Sequence, residues 1–336
     1  SSNHHRCPNF FQKIENIISF FINQDDFKKL FTNLELIELF WDNKTILLFL
    51  YENKIIFFNE YDIYQRWLES NNKNIHKLVY FYPEIKIINN DIIMLEKLSE
   101  FLPQTMDNFE EKRKIGENDS YICSLIRNDS VIDFITYINK ENIQLSDARI
   151  EPSIFETNSF LFEYKNPSLI EYAAFFGSIQ IYQYLRNNNA KLEQSIWIYA
   201  IHGRNAELIS YLEEDNIPPP KNSYEICLEE SLKCHHNEIA EYFIVNYIDD
   251  INFNNLKKNK VKNWFYRKKY FIENVVKCCF YSFNFFYFKK CLDNELLIYY
   301  LCKYDYVNLV KLYLEKNKED SEKTIILLIN YLLRNS

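Results

Sequence analysis

The apolar positions of this chain recur at three- and four-residue steps over most of its length, the spacing of an amphipathic helix and not the alternation of a half-buried strand. Phe20, Phe21, Phe27, Leu30, Phe31, Leu34, Ile37 and Phe40 form one such stripe. Asn59-Glu-Tyr-Asp62 opens a second that runs to Trp67 and Leu68, with Asn59 placed as its cap. Ile46 to Tyr51 and Ile55 to Phe58 are β-branched and aromatic enough for strands, but their Asn-rich flanks favour short helices. Residues 9–110 therefore read as helical. The charged stretch 103–118, poor in large apolar residues, marks the predicted boundary of an N-terminal helical domain over 1–112.

Beyond that boundary the pattern repeats. Ser168 to Leu185 superposes on Ser195 to Leu212 at an offset of 27, so that Ala173 falls on Ala200, Ile181 on Leu208 and Leu185 on Leu212. A further shift of 31 reaches Ser231, Ile239 and Phe243. Small residues thus recur where two helices must touch. Each unit predicts a short first helix, a tight turn at Gly177, Arg204 or His235, and a second helix with apolar residues at helical spacing. Asn139, Asn189, Asn216 and Asn317 stand four residues past the last core position of the second helix, where a left-handed residue ends a helix and Asn substitutes for Gly. Residues 145–167, rich in Ser, Phe and Pro, lengthen one unit and predict an ordered loop or strand pair. After residue 250 the pattern weakens: 301–314 still fits, 279–292 fits loosely, and 324–333 reads as a last helix covering an apolar face.

Ser168-Leu-Ile-Glu-Tyr-Ala-Ala-Phe-Phe-Gly177 resembles the Thr-Pro-Leu-His-x-Ala-Ala-x-x-Gly signature of ankyrin repeats. Asn205-Ala-Glu-Leu-Ile209 is similar to their His-x-Glu-Ile-Val, and Asn188-Asn-Ala-Lys-Leu192 to their Asn-Gly-Ala-Asp-Val finger segment. Asp129 to Ile135, Glu151 to Asn158 and Tyr82-Pro-Glu-Ile-Lys86 further resemble the expanded ankyrin families of anaerobic protists, which carry an ankyrin-associated domain of unknown function. The resemblance implies an all-α α-solenoid of divergent ankyrin-like helix pairs over 119–250, preceded by the N-terminal helical domain and followed by degenerate helices and a cap over 251–336. The signature Pro is replaced by Leu169, Ile196 and Cys227 and the His by Glu171, Ile198 and Glu229, so the hydrogen bonding that stiffens consensus repeats is expected to be missing.

Composition narrows the function classes. The chain has 336 residues, 47% of them hydrophobic and 17% aromatic, enough for a sizeable core. It has three Gly (Gly116, Gly177, Gly203), which nearly removes phosphate-cradling loops and glycine-rich β architectures. A net charge of −8 makes the bulk molecule repel nucleic acid and anionic membrane. A mean hydropathy of −0.34 and a start without a signal pattern predict an intracellular, cytoplasmic protein, with its eight irregularly spaced Cys reduced.

Candidate chemistry is sparse. Cys227, Cys234, His235 and His236 are the one compact thiol and imidazole cluster, but their spacing matches no common zinc module and the repeat register assigns them to a turn and a core slot, so no metal, cofactor or catalytic residue is expected. His202 reads as an exposed His and not a base. A segment with seven positive charges in thirteen residues, Lys257, Lys258, Lys260, Lys262, Arg267, Lys268 and Lys269, is interleaved with Trp264, Phe265 and Tyr266. It is either a solubilising loop or a contact for nucleic acid or anionic lipid. The resemblance implies a non-enzymatic scaffold that binds another protein, with no small-molecule substrate. Its exposed slots carry over onto Phe175, Phe176, His202 and Lys233, and its finger side onto Lys165, Lys191, Gln194 and Asn222. Phe175 and Phe176 would form a binding hot spot unless the preceding insertion covers them.

Overall fold

The computed structural model describes residues 8–22, 31–69, 75–88, 91–103, 106–163 and 166–248, with isolated positions between 274 and 311. Its described residues are mostly helical and include no strand, so the described part of the chain is all-α. Two compact units divide it: one comprises residues 1–172 and 180–190, the other 173–179 and 191–336.

The first unit opens with α1 (Pro8–Ile22), α2 (Asn33–Phe40), α3 (Lys44–Glu52), α4 (Glu60–Glu69), α5 (Ile75–Tyr80), α6 (Tyr82–Ile88), α7 (Ile92–Ser99) and α8 (Phe109–Ile115). Short polar side chains start them: Thr32 and Glu35 close a capping box on α2, and Asn43 and Asp91 cap α3 and α7. Of the two ambiguous runs, Ile46 to Tyr51 is helical within α3, whereas Ile55 to Phe58 lies outside any helix. One apolar core spans Leu36 to Phe109 and takes in Ile154 and Phe155. The stretch 103–118, expected as a boundary, therefore holds a helix whose Phe109 belongs to that core and packs edge-on to Phe155. A charged, turn-like composition there reflects the exposed side of α8 and not a linker.

Charges are also inside this unit. The Arg113 guanidinium, 3% exposed, pairs with Glu84 at 2.8 Å and Glu110 at 2.6 Å and donates to the Tyr80 carbonyl. Lys44 Nζ donates to the carbonyls of Ile154 and Glu156, each at 3.0 Å, tying α3 to residues 110 positions away. Among its described residues the 145–167 insertion carries α11 (Ser159–Glu163), and Arg149 forms an antiparallel bridge with Ser168.

Helix pairs follow with the predicted period. α9 (Tyr121–Arg127) and α10 (Val131–Lys140) precede the insertion; α12 (Leu169–Phe176), α13 (Ile179–Asn187), α14 (Ile196–Gly203), α15 (Ala206–Glu214), α16 (Tyr224–Lys233) and α17 (Asn237–Tyr247) follow it. The repeated small positions Ala173, Ala200 and Ser231 are all fully buried, as are Leu185, Leu212 and Phe243. Ser231 satisfies its hydroxyl on the Cys227 carbonyl at 2.7 Å. Gly203 is where α14 meets Ala174: a Cβ there would lie 2.2 Å from the Ala174 carbonyl oxygen.

The turns lie where the repeat predicts them. Gly177, Arg204 and His235 have φ of +70°, +52° and +60°, and Asp129 matches them at +50° in the earlier pair. Asn189 and Asn216 stop their helices at φ +58° and +53°. Asn139 does not: it lies inside α10, and Asn142 takes the left-handed position at φ +52°. Asn317 lies outside the described residues. Three of the turn residues reach into the next helical segment. The Asp129 carboxylate accepts from the Gln180 and Ile181 amides at the start of α13, Arg204 Nη2 meets Glu238 at 3.3 Å in the first turn of α17, and His235 Nε2 donates to the Ser282 carbonyl at 2.7 Å.

The missing Pro and His of the ankyrin-like tetrad are compensated in one unit. Ser168 and Glu171 form a reciprocal pair at the start of α12, Ser168 N donating to Glu171 Oε2 at 2.8 Å and Glu171 N to Ser168 Oγ at 3.3 Å. Expected as a weakened start, this helix is capped by the residue that replaced the His.

Candidate functional site

Two sets of candidate residues fall in different settings of the second unit. On the finger side, Lys191, Gln194 and Asn222 are exposed, as expected. Gln194 Nε2 faces Asn222 Oδ1 at 3.5 Å, so the two segments touch. Lys191, Leu192, Glu193, Gln194 and Ser195 form one wall of a shallow groove of about 590 Å³, and Ile217, Pro218, Pro220 and Lys221 form the other. Trp197, fully buried at the base of α14, donates its indole N–H to the Ile217 carbonyl at 2.9 Å and so fixes the second wall. Lys221 and Asn222 have φ of +52° and +56°, which turns the chain sharply after Pro220 into α16. The sequence reading named three of these residues and missed the Pro218-Pro219-Pro220 run, whose rigid backbone is the legible sign of a fixed finger. Lys165 lies outside the described residues.

The slots expected at the surface after the paired Ala are not open. Phe175 is 1% exposed and His202 2% exposed, and Phe176 is half-buried; only Lys233 is exposed. Consecutive first helices lie against one another, α14 on α16, so the C-terminal end of each is covered by its neighbour and not by solvent. Phe175 stacks on the His202 ring at 5.2 Å and meets Phe176 edge-on at 5.0 Å. The hot spot expected at Phe175 is thus a packing contact, and the 145–167 insertion is not needed to explain its burial.

His202 in turn meets α16. Its Nε2 lies 2.9 Å from Glu230 Oε1 and 3.5 Å from Cys234 Sγ, while Lys233 Nζ holds the other Glu230 oxygen at 3.2 Å. Burial alone would raise the Glu230 carboxyl, but His202 and Lys233 outweigh it and hold Glu230 below the ordinary carboxylate range. Burial pushes the Cys227 thiol up to about 12 and the Cys278 thiol to about 11, which makes both poor nucleophiles at neutral pH. Of the quartet Cys227, Cys234, His235 and His236, only Cys234 joins a convergent donor cluster among the described residues. Sequence reasoning missed Glu230, which stands four residues before Cys234 and therefore on the same helical face.

The basic residues Lys257, Lys258, Lys260, Lys262, Trp264, Arg267, Lys268 and Lys269 lie outside the described residues. Among the described residues no helix is long and apolar enough to cross a membrane. No protein-family model, curated protein or solved structure matches the chain.

Proposed function

We propose that the chain is a non-enzymatic scaffold whose helix pairs between 119 and 250 are divergent ankyrin-like repeats of a solenoid, and that it binds a segment of another protein along its finger side. The observation that carries this reading is the groove between the Lys191 to Ser195 and Ile217 to Lys221 segments, where two fingers of successive pairs stand side by side with their backbones pinned. Leu192, Ile217 and the prolines offer apolar contact, and Lys191, paired with Glu193 at 2.7 Å, and Lys221 leave it with a net positive charge. A shallow, preformed trough of this kind suits an extended acidic segment better than a small molecule. The recurrence of the buried small residue and of the left-handed turn at offsets of 27 and 31 supports the repeat register.

A second reading, an intracellular adaptor that docks on nucleic acid or anionic membrane, rests on the sequence of 257–270, where aromatic residues Trp264 to Tyr266 and Tyr270 are interleaved with basic ones. The two part in one experiment. Partners are captured from nuclease-treated lysate with the intact chain, with the groove variant Lys191→Glu/Lys221→Glu, and with Lys268→Glu/Lys269→Glu. A discrete protein retained by the intact chain and the third variant but lost from the groove variant is the expected result. Retention lost only from the third variant, and salt-dependent, would move the function to the basic segment.

A further inference from the structure

Two helices that are far apart in sequence bring three metal-type donors to one point. His202 is on the last turn of α14, Glu230 on the last turn of α16 and Cys234 at the C-cap of α16. Their donor atoms lie within 4.8 Å of one another, and among the described residues no other group of His, Cys, Asp and Glu converges in this way. We propose that His202 Nε2, Glu230 and Cys234 Sγ bind a divalent cation of the zinc class, which staples α14 to α16.

The donor set and its spacing carry the assignment. Tetrahedral Zn²⁺ with ordinary Zn–N and Zn–S bonds places those two ligand atoms about 3.5 Å apart. The His202 Nε2 to Cys234 Sγ separation is 3.5 Å before any adjustment. The Nε2 to Glu230 Oε1 distance, 2.9 Å, is that of a hydrogen bond and opens by a few tenths of an ångström when both atoms turn to a shared cation. One nitrogen, one carboxylate oxygen and one sulfur are a set that suits zinc, and not calcium or magnesium, which take all-oxygen shells.

The surroundings hold these groups in place. The His202 ring lies stacked on Phe175, 26° from parallel, and is 2% exposed, so its plane is fixed. Lys233 engages the second oxygen of Glu230 and orients the carboxylate, as outer hydrogen bonds do at metal sites. Gly203, next to His202, lets α14 approach Ala174 closely enough to seat that ring on Phe175.

A thiol and imidazole pair also raises nucleophilic catalysis. The geometry disfavours it: Cys234 Sγ is nearly equidistant from the two ring nitrogens, 3.5 Å from Nε2 and 3.6 Å from Nδ1, and so lies on neither in-plane lone pair. Ligation at Nε2 displaces the proton shared with Glu230 and leaves the ring proton on Nδ1, and, since the ring keeps its plane, it is Cys234 that turns its Sγ to the metal as thiolate.

The test is titration of the full-length, reduced and metal-stripped chain with Zn²⁺ by calorimetry, and with Co²⁺ by absorbance. The expected result is one metal per chain, a thiolate-to-cobalt charge-transfer band, and loss of that band in Cys234→Ser with zinc affinity reduced at least about 100-fold. Glu230→Gln, which keeps shape and helix, is expected to keep the band and lose at least about tenfold in affinity. Cys227→Ser and Cys278→Ser should behave as the parent. Far-ultraviolet circular dichroism of each variant separates lost ligation from lost fold, and the Glu230→Gln result decides the matter if Cys234→Ser unfolds. No saturable binding by the parent chain, a band that survives Cys234→Ser, or unchanged affinity in Glu230→Gln would overturn the proposal. The outcome is independent of whether the finger groove binds a partner.

Discussion

The helices between Asn33 and Ile115 and those between Leu169 and Tyr247 draw on the same aromatic-rich, glycine-poor composition and are held by different means. In the first region the core is made of large side chains, Leu47, Leu50, Tyr80, Phe81 and Phe109 among them, and it closes around paired charges and a lysine bonded across more than a hundred residues. In the second, small residues recur in register, helices end at left-handed turns, and most contacts join neighbours in sequence. Long-range polar bonds specify one arrangement of irregular helices. A repeated register specifies each pair through its neighbour, so its information is local.

That contrast can be broken most sharply at Arg113. Arg113→Met leaves Glu84 buried without its guanidinium and is expected to cost about 4 kcal/mol. Hydrogen exchange should show protection lost over 33–115 and retained over 196–247; simultaneous loss in both would erase the distinction drawn here. Next comes pH. Burial lowers the Lys44 ammonium to about 7 and raises the Glu156 carboxyl to about 7. The Glu156 contribution is present in full below pH 4.5 and is lost as pH rises to about 7. The Lys44 contribution is present above 10.5 and is lost as pH falls to about 7. Unfolding free energies from urea melts should therefore dip near neutrality, by at most about 3 kcal/mol from the acidic side and about 5 kcal/mol from the alkaline side. Lys44→Met should flatten the alkaline limb and push the acidic one to higher pH, since it removes the charge that holds Glu156 down, and Glu156→Gln should flatten the acidic limb and push the alkaline one to lower pH.

In the second region Gly203→Ala drives a Cβ into the Ala174 carbonyl and is expected to cost about 2 kcal/mol, read from the thermal midpoint. Asn216→Ala puts a residue less tolerant of φ +53° at a helix stop and should cost about 1 kcal/mol, whereas Asn216→Gly should be near neutral. The same pair of substitutions at Asn139, inside α10, should reverse in sign, Gly being the more damaging.

Much of the second region was legible because its signals are one-dimensional. A small residue, a turn and an Asn stop recur at fixed offsets, and the structure buries or turns each where the offset places it, with Asn139 displaced by one longer helix. The exposure of Lys191, Gln194 and Asn222 was legible for the same reason. The burial of Phe175 and His202 was not, because it depends on how tightly one first helix lies on the next, which Gly203 sets through a contact that no periodicity reveals. Nor was the inclusion of Ile154 and Phe155 in the N-terminal core, since nothing local to Lys44 announces carbonyl partners in a loop so distant in sequence.

The left-handed turns between paired helices carry a further consequence. A glycine at such a position gives the backbone its freedom and nothing more, whereas Asp129, Arg204 and His235 each extend a side chain to the segment that follows. The hinge of one pair thereby becomes the latch of the next. A change of residue there can loosen or retune the joint between adjacent pairs while leaving the packed interior of both untouched. The scarcity of glycine, which nearly removes phosphate-cradling loops, thus also gives this chain adjustable couplings where glycine turns would be inert.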